Sequence, residues 1–143
     1  MINATITKFG YPHTLVREYQ HWLVLLRPSQ VTVGSLVLAA NSPATAYGEL
    51  PASAFAEQAI AIADIERALS RACDYRRINY LMLMMVDAHV HFHVIPRYQG
   101  SRSVGGITLS DTCWPGAPDL KSATALDSSQ IASLRDAIAA CFR

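Results

Sequence analysis

Three of the chain's five histidines, His89, His91 and His93, stand at every second position, with Val90, Phe92 and Val94 filling the alternate places. In a β-strand successive side chains point to opposite faces, so this pattern puts the three imidazoles on one face and gives the other to a core. A helix, turning about 100° per residue, would scatter the same groups around its axis. Side chains two apart on a strand face lie roughly 7 Å apart at the backbone, close enough for the rings to converge on one ligand. Two chemistries fit that geometry. Three imidazoles with an open fourth position form a catalytic zinc arrangement. Alternatively, one neutral imidazole attacks phosphorus while the others hold phosphate oxygens or orient the nucleophile. Histidine suits the second role because its unperturbed pKa of about 6.5 leaves much of it neutral near physiological pH.

A strand of this kind needs a sheet around it and a layer behind it. The chain has 143 residues, 51% hydrophobic and 16% charged, which suits one soluble globular domain with a real core. A formal net charge of +1 leaves no footprint for sequence-independent nucleic-acid binding, although a small basic cleft for a phosphate is compatible with it. The first ten residues lack a signal-peptide pattern and no apolar run is long enough to span a bilayer, so a cytoplasmic protein is expected. Three widely spaced cysteines, Cys73, Cys113 and Cys141, suggest free thiols and neither a disulfide framework nor a metal motif.

Residues 1–14 read as an irregular N-terminal arm. Segments 15–19 and 21–26 read as two strands joined by a turn near Gln20, and Arg27-Pro28-Ser29-Gln30 ends the second because proline cannot donate to a ladder. A third strand follows at 35–40, after Gly34. Pro51 opens a long amphipathic helix reaching about Tyr75, with Phe55, Ala59, Ile62, Ile65, Ala68, Leu69 and Ala72 as its apolar positions and Arg76-Arg77 at its negative end. Residues 78–86, apolar on both parities, suit a central strand covered on both faces, with Met82, Met84 and Met85 as core filling. Asp87-Ala88 turns the chain into the histidine strand.

A long stretch rich in Gly, Ser and Pro, 99–126, reads as a loop. A C-terminal helix over 127–142 begins with Asp127 as N-cap and Gln130 three residues on, and Leu126 can staple to Ile131. These elements make an α+β protein: one domain, 1–143, with an antiparallel sheet of about five strands, one long covering helix and a C-terminal helix.

The run His89-Val90-His91-Phe92-His93-Val94-Ile95, followed by Pro96-Arg97, resembles the signature of the histidine triad (HIT) family, in which histidines alternate with apolar residues. The order of elements over residues 15–98 also resembles that family, as a divergent, bacterial-type member. The resemblance implies a HIT-like fold and a nucleotide hydrolase or nucleotidyltransferase. Its substrates would be nucleoside phosphoramidates, dinucleoside polyphosphates or related adenylylated molecules, attacked at the α-phosphate. His91 would be the nucleophile that forms a covalent nucleotidyl-imidazole, with His89 and His93 binding phosphate and orienting it. His93 argues against the uridylyltransferase branch, where glutamine stands at that place. The resemblance implies no required metal and a homodimer built across the long helix and the adjoining sheet edge.

The sequence also departs from the family. Where many members have a histidine after a glycine, this chain reads Gly34-Ser35, and Ser35 is expected to hydrogen-bond His89 or His91. Where many carry a Gly-Gln segment that assists the leaving group, it reads Met85-Val86-Asp87-Ala88. Asp87 either takes over that role or is a turn residue. Other candidate substrate-binding residues are Arg27, near the family's ribose position; Asn79; Arg97, able to grip phosphate bidentately; and Trp114, in a Trp-Pro-Gly segment resembling the tryptophan-containing segment that closes over the site in one branch. His13 and His21 read as surface or rim residues. The open alternatives are a non-catalytic nucleotide-binding module and a three-histidine metal-dependent hydrolase.

Overall fold

Apolar residues on both parities need cover on both faces, and strands at Trp22–Leu26 and Leu36–Ala40, buried at every position, lie at the heart of the fold for that reason. The computed structural model describes residues 1–143. A short helix α1 (Ala4–Lys8) precedes β1 (Leu15–Glu18), β2 (Trp22–Leu26), β3 (Ser29–Gln30) and β4 (Leu36–Ala40). After a 3-10 turn come the long helix α2 (Ala52–Cys73), β5 (Arg77–Leu81), β6 (His91–Arg97), β7 (Ser101–Val104), β8 (Ile107–Ser110), β9 (Thr124–Ala125) and helix α3 (Ser128–Cys141). The main sheet is antiparallel in the order β1-β2-β4-β6-β5, so the protein is α+β with five principal strands. No helix is long and apolar enough to cross a membrane.

One face of the sheet, carrying Trp22, Val24, Leu26, Leu36 and Leu38, packs under α2 and α3 in the larger core. Alanines at 54, 61 and 68 line the buried side of α2, where small side chains let the helix axis approach the strands. The buried stripe is thus rotated from the expected one: Phe55 and Ala59 face solvent, and Ala54, Gln58, Ala61, Ile65, Ala68, Leu69 and Cys73 face in. Trp22 Nε1 donates to the Ala54 carbonyl at 2.7 Å, which fixes the helix's approach. Gly34, at φ +100°, makes the turn into β4 with Leu69 and Pro96 pressed against it, and a Cβ there would meet both at 3.3 Å.

The opposite face, carrying Leu23, Leu25, Val37 and Ala39, forms a second, smaller core with Ile6 of α1. This corrects the reading of residues 1–14 as an irregular arm. Asn3 caps α1 through its side chain, which accepts from Ile6 N at 2.9 Å, and donates onward to the carbonyls of Ala40 and Ser42.

Two further expectations differ from the structure. The strand expected over 78–86 stops at Leu81 and is the sheet's edge, not its centre. Met84 takes a positive φ of 51°, the chain leaves the sheet, and Leu83, Met85 and Val86 are exposed, so Met85 fills no core. The stretch 99–126 is also not plain loop: it contains the β7–β8 hairpin and β9, which pairs with β3. The C-terminal helix does start on the expected capping box, with Asp127 and Gln130 satisfying one another's backbone donors. All three cysteines are free.

Candidate active site

The histidines sit on β6 and the bend before it. His91 pairs with Ala39 of β4, and His93 lies between Val37 of β4 and Leu81 of β5. His89 precedes the strand, which begins at His91, so the three rings do not stand in line on one regular strand as the alternation suggested. Val90 bridges the bend to the rest of the sheet, its carbonyl accepting from Ala40 N at 2.9 Å.

That bend sets the tautomer of His91. Its Nδ1 lies 2.7 Å from the His89 carbonyl, and a carbonyl only accepts, so Nδ1 carries the proton. Nε2 of the neutral ring then holds a free lone pair. His93 is arranged the other way round. Arg27 Nε donates to its Nδ1 at 3.4 Å, leaving Nε2 as the N–H donor of the neutral ring. Burial, with the Arg27 guanidinium and then His91 adding to it, pushes His93 down from its ordinary value near 6.5 to about 4. It is therefore neutral at physiological pH. The two rings meet edge-on with centroids 5.2 Å apart. One offers a lone pair and the other an N–H, the pair of functions an attack on phosphorus needs.

Helix α1 builds the near wall of the site, and the sequence reading missed it entirely. Phe9, at its C-terminal end, packs its ring 5.7 Å from both His91 and His93. Thr5 Oγ1 hydrogen-bonds His89 Nδ1 at 3.1 Å. Lys8 pairs with Asp87 at 2.8 Å, tying the helix to the segment ahead of the histidines. The available signal was Asn3 as an N-cap followed by Ile6 and Phe9 three residues apart.

The remaining candidates fall into three groups. Arg27 and Phe9, with Lys8, Pro28 and Ser29, line a cavity of about 200 Å³ on the β2 side. Asp87 lines a second cavity, about 170 Å³, with His91, His93 and the segment 83–86; its carboxylate goes to Lys8 and forms no hydrogen bond with His89. Asn79, Arg97 and Trp114 border a third, larger one, about 440 Å³, over β5.

Two of the expected binding side chains, one of them outside these cavities, are committed elsewhere. Ser35 makes no bond to a histidine: its hydroxyl donates to the Thr32 carbonyl and accepts from Thr32 N, holding the turn before β4. Arg97 grips no free anion, because its guanidinium is bound bidentately by Asp111 at 2.8 and 3.1 Å, with both side chains buried. It also donates to Asn79 Oδ1 and the Gly116 carbonyl, pinning residues 111–118 against β5 and β6. Asp111 was not singled out from the sequence, where an aspartate in a long polar stretch carries no distinguishing signal. His13 is exposed and His21 half-buried at the rim. No group of three or more His, Cys, Asp or Glu side chains is gathered so as to hold a metal ion.

No protein-family model matches the chain, and no curated protein matches it in sequence. Solved structures do. A histidine triad protein from Marinobacter aquaeolei superposes with a TM-score of 0.72 at 19% identity, covering 90% of this chain and 87% of that one. A histidine triad (HIT) protein from Sinorhizobium meliloti gives 0.70 at 17% identity, with 96% of each chain covered. A hypothetical histidine triad nucleotide-binding protein from Sulfolobus tokodaii gives 0.69 at 17% identity, over 90% of this chain and 83% of that one. Superposing on these proteins over most of their length, the chain has the histidine triad fold.

Proposed function

We propose that this protein is a nucleotide hydrolase or nucleotidyltransferase that attacks the α-phosphate of an adenylylated substrate through His91. Nucleoside phosphoramidates, dinucleoside polyphosphates and similar molecules are the substrate class. The observation that carries the reading is the pair of opposed tautomers: Nδ1 of His91 is held by the His89 carbonyl, and Nδ1 of His93 by Arg27. The nucleotide-binding description borne by the Sulfolobus protein agrees with it.

In the first step the Nε2 lone pair of His91 forms a bond to phosphorus. The bond from phosphorus to the leaving atom breaks, its electron pair staying on that atom, which takes a proton from water. In the second step a water or an acceptor hydroxyl attacks phosphorus and loses its proton, and the phosphorus–nitrogen bond breaks to restore neutral His91. His93 contributes an N–H to a phosphoryl oxygen throughout, and burial makes that donor worth more than it would be in water. Its low pKa keeps it a neutral donor and not a proton source near pH 7. The cavity at Phe9 and Arg27 is the nucleoside side, with an aromatic face and a cation.

Intact-mass analysis of enzyme quenched after mixing with an AMP phosphoramidate tests the proposal. An added adenylyl mass on His91 is expected, and rapid turnover with no adduct on any histidine overturns it. A non-catalytic nucleotide-binding module is the second reading, favoured by the absence of a Gly-Gln segment and by Asp87 being engaged with Lys8. Nucleotide binding without turnover across the substrate class would select it. A zinc-dependent hydrolase ranks third, because no three His, Cys, Asp or Glu side chains gather to hold a metal ion and Nδ1 of each histidine is engaged, by Thr5, the His89 carbonyl and Arg27. We place the protein in the cytoplasm and expect a homodimer; Phe55 and Ile60 are exposed on α2.

A further inference from the structure

The largest cavity in the molecule lies beside the histidines, not on them. Paired residues in an antiparallel ladder point to the same face, so Arg77, Asn79 and Leu81, opposite Arg97, Ile95 and His93, share the histidine face of the sheet. Residues 114–118 roof these side chains, and the space between measures about 440 Å³, within the range of small-molecule pockets. Leu81 forms part of its wall and is the register partner of His93. The cavity wall therefore reaches the strand position next to His93, about 5 Å across the ladder at the backbone.

Its polar side chains are donor-rich and carry no acid. Asp111 neutralises Arg97, whose guanidinium spends four of its five N–H groups on Asp111, Asn79 and Gly116. The bond to Asn79 uses its amide oxygen and leaves Nδ2 as a free donor. Asn79 Nδ2 and Trp114 Nε1 have no partner in the protein and neither is a buried unpaired atom, and both residues line the cavity. Arg77 is exposed, has no acidic partner, and no Asp or Glu lines the space. Leu81, Pro115 and the Trp114 indole supply the apolar remainder. An uncompensated guanidinium with two neutral donors and an aromatic wall suits an anion carried on a planar or apolar body.

We infer that this cavity is the subsite for the leaving portion of the substrate, and that the group it takes bears a carboxylate or phosphate on a planar or apolar frame. The inference deepens the nucleotidyl-transfer reading by naming what departs from phosphorus. Residues 111–118 are fixed as its roof through Arg97 and Asp111, and Arg77 is the specificity-determining charge.

Two measurements test it. The first compares two AMP phosphoramidates with the same adenylate, one made with 4-aminobenzoate and one with aniline. A preference of at least tenfold in kcat/KM for the carboxylate is expected, falling to about one in Arg77→Ala and inverting in Arg77→Glu. Equal use of both substrates by the native protein, or the full preference surviving in Arg77→Glu, overturns the subsite. The second needs no turnover: 4-aminobenzoate and phenyl phosphate are titrated separately while tryptophan fluorescence is read. Trp22 is fully buried, so a change at the cavity comes from Trp114. A saturable change lost in both Trp114→Phe and Arg77→Glu supports the subsite, and the tighter anion identifies the head group. No saturable response to either overturns it. Binding there by a protein that turns over neither phosphoramidate upholds the cavity while defeating the reaction assigned above.

Discussion

Arg27 Nε donates to Nδ1 of His93 across 3.4 Å, joining the end of β2 to the histidine strand. A cation placed on the acceptor nitrogen of an imidazole opposes protonation of the ring, and burial does so more strongly. The folded protein thus binds a proton at His93 only at about pH 4, whereas the unfolded chain binds it near 6.5. Between these values the unfolded state holds the extra proton, so stability falls as pH drops from about 6.5 to about 4 and is unaffected by this group above that window.

Replacing Arg27 by methionine removes the second-largest cause of the shift and leaves burial in place. The His93 ring is expected to titrate at a higher pH, still below 6.5, with urea denaturation losing less stability on acidification than the native protein loses. NMR titration of the ring proton reads the first effect directly. An unchanged or lower His93 pKa would show that Arg27 does not act on the ring.

His91→Gly should abolish formation of the nucleotidyl adduct and lower turnover by at least about 10³-fold, the usual scale for removing a covalent nucleophile. Because the ring's space is left vacant, free imidazole added to this variant should restore part of the hydrolysis without restoring the adduct on the protein. Retained adduct in His91→Gly would move the nucleophile to another residue.

Strands β2 and β4, the long helix and the C-terminal capping box were legible because each rests on local pattern: apolar runs between turn residues in β2 and β4, a helical period in α2, Asp127 with Gln130. The places that were not legible depend on partners distant in sequence. Ile6 and Phe9 look ordinary until the sheet supplies Leu23, Leu25 and His91 to pack against. The run from Ile78 to Val86 carries a buried-strand composition, yet its second half leaves the sheet at Met84 and stays exposed. Arg97 was visible as a cation near the histidines, but its engagement by Asp111 arises only when residues 111–118 fold back. His91 could be singled out from spacing, while its reactive nitrogen could not, since the tautomer is decided by a backbone carbonyl two residues away.

Thr5→Ala deletes the hydroxyl that meets His89 Nδ1. The expected loss is about 1 kcal/mol, the net value of one hydrogen bond, or about fivefold in kcat with KM little changed. Thr5→Ser keeps the hydroxyl and should retain most of the rate. A variant pair equally impaired would assign Thr5 to packing under α1 and not to His89.

The Arg97–Asp111 pair yields the sharpest stability prediction because both partners are buried and the bond is bidentate. Asp111→Leu leaves the guanidinium without its counter-charge in a desolvated place and should cost about 3–5 kcal/mol, with Arg97→Met similarly harmful through an unpaired carboxylate. The double variant Arg97→Met with Asp111→Leu removes both charges together, so its cost should be well below the sum of the two single losses. Urea denaturation of the four proteins closes this cycle. Additive losses would mean that the two side chains stabilise the protein independently, through Asn79 and Gly116 on one side and the backbone of Tyr98 and Cys113 on the other, with little carried by the ion pair itself.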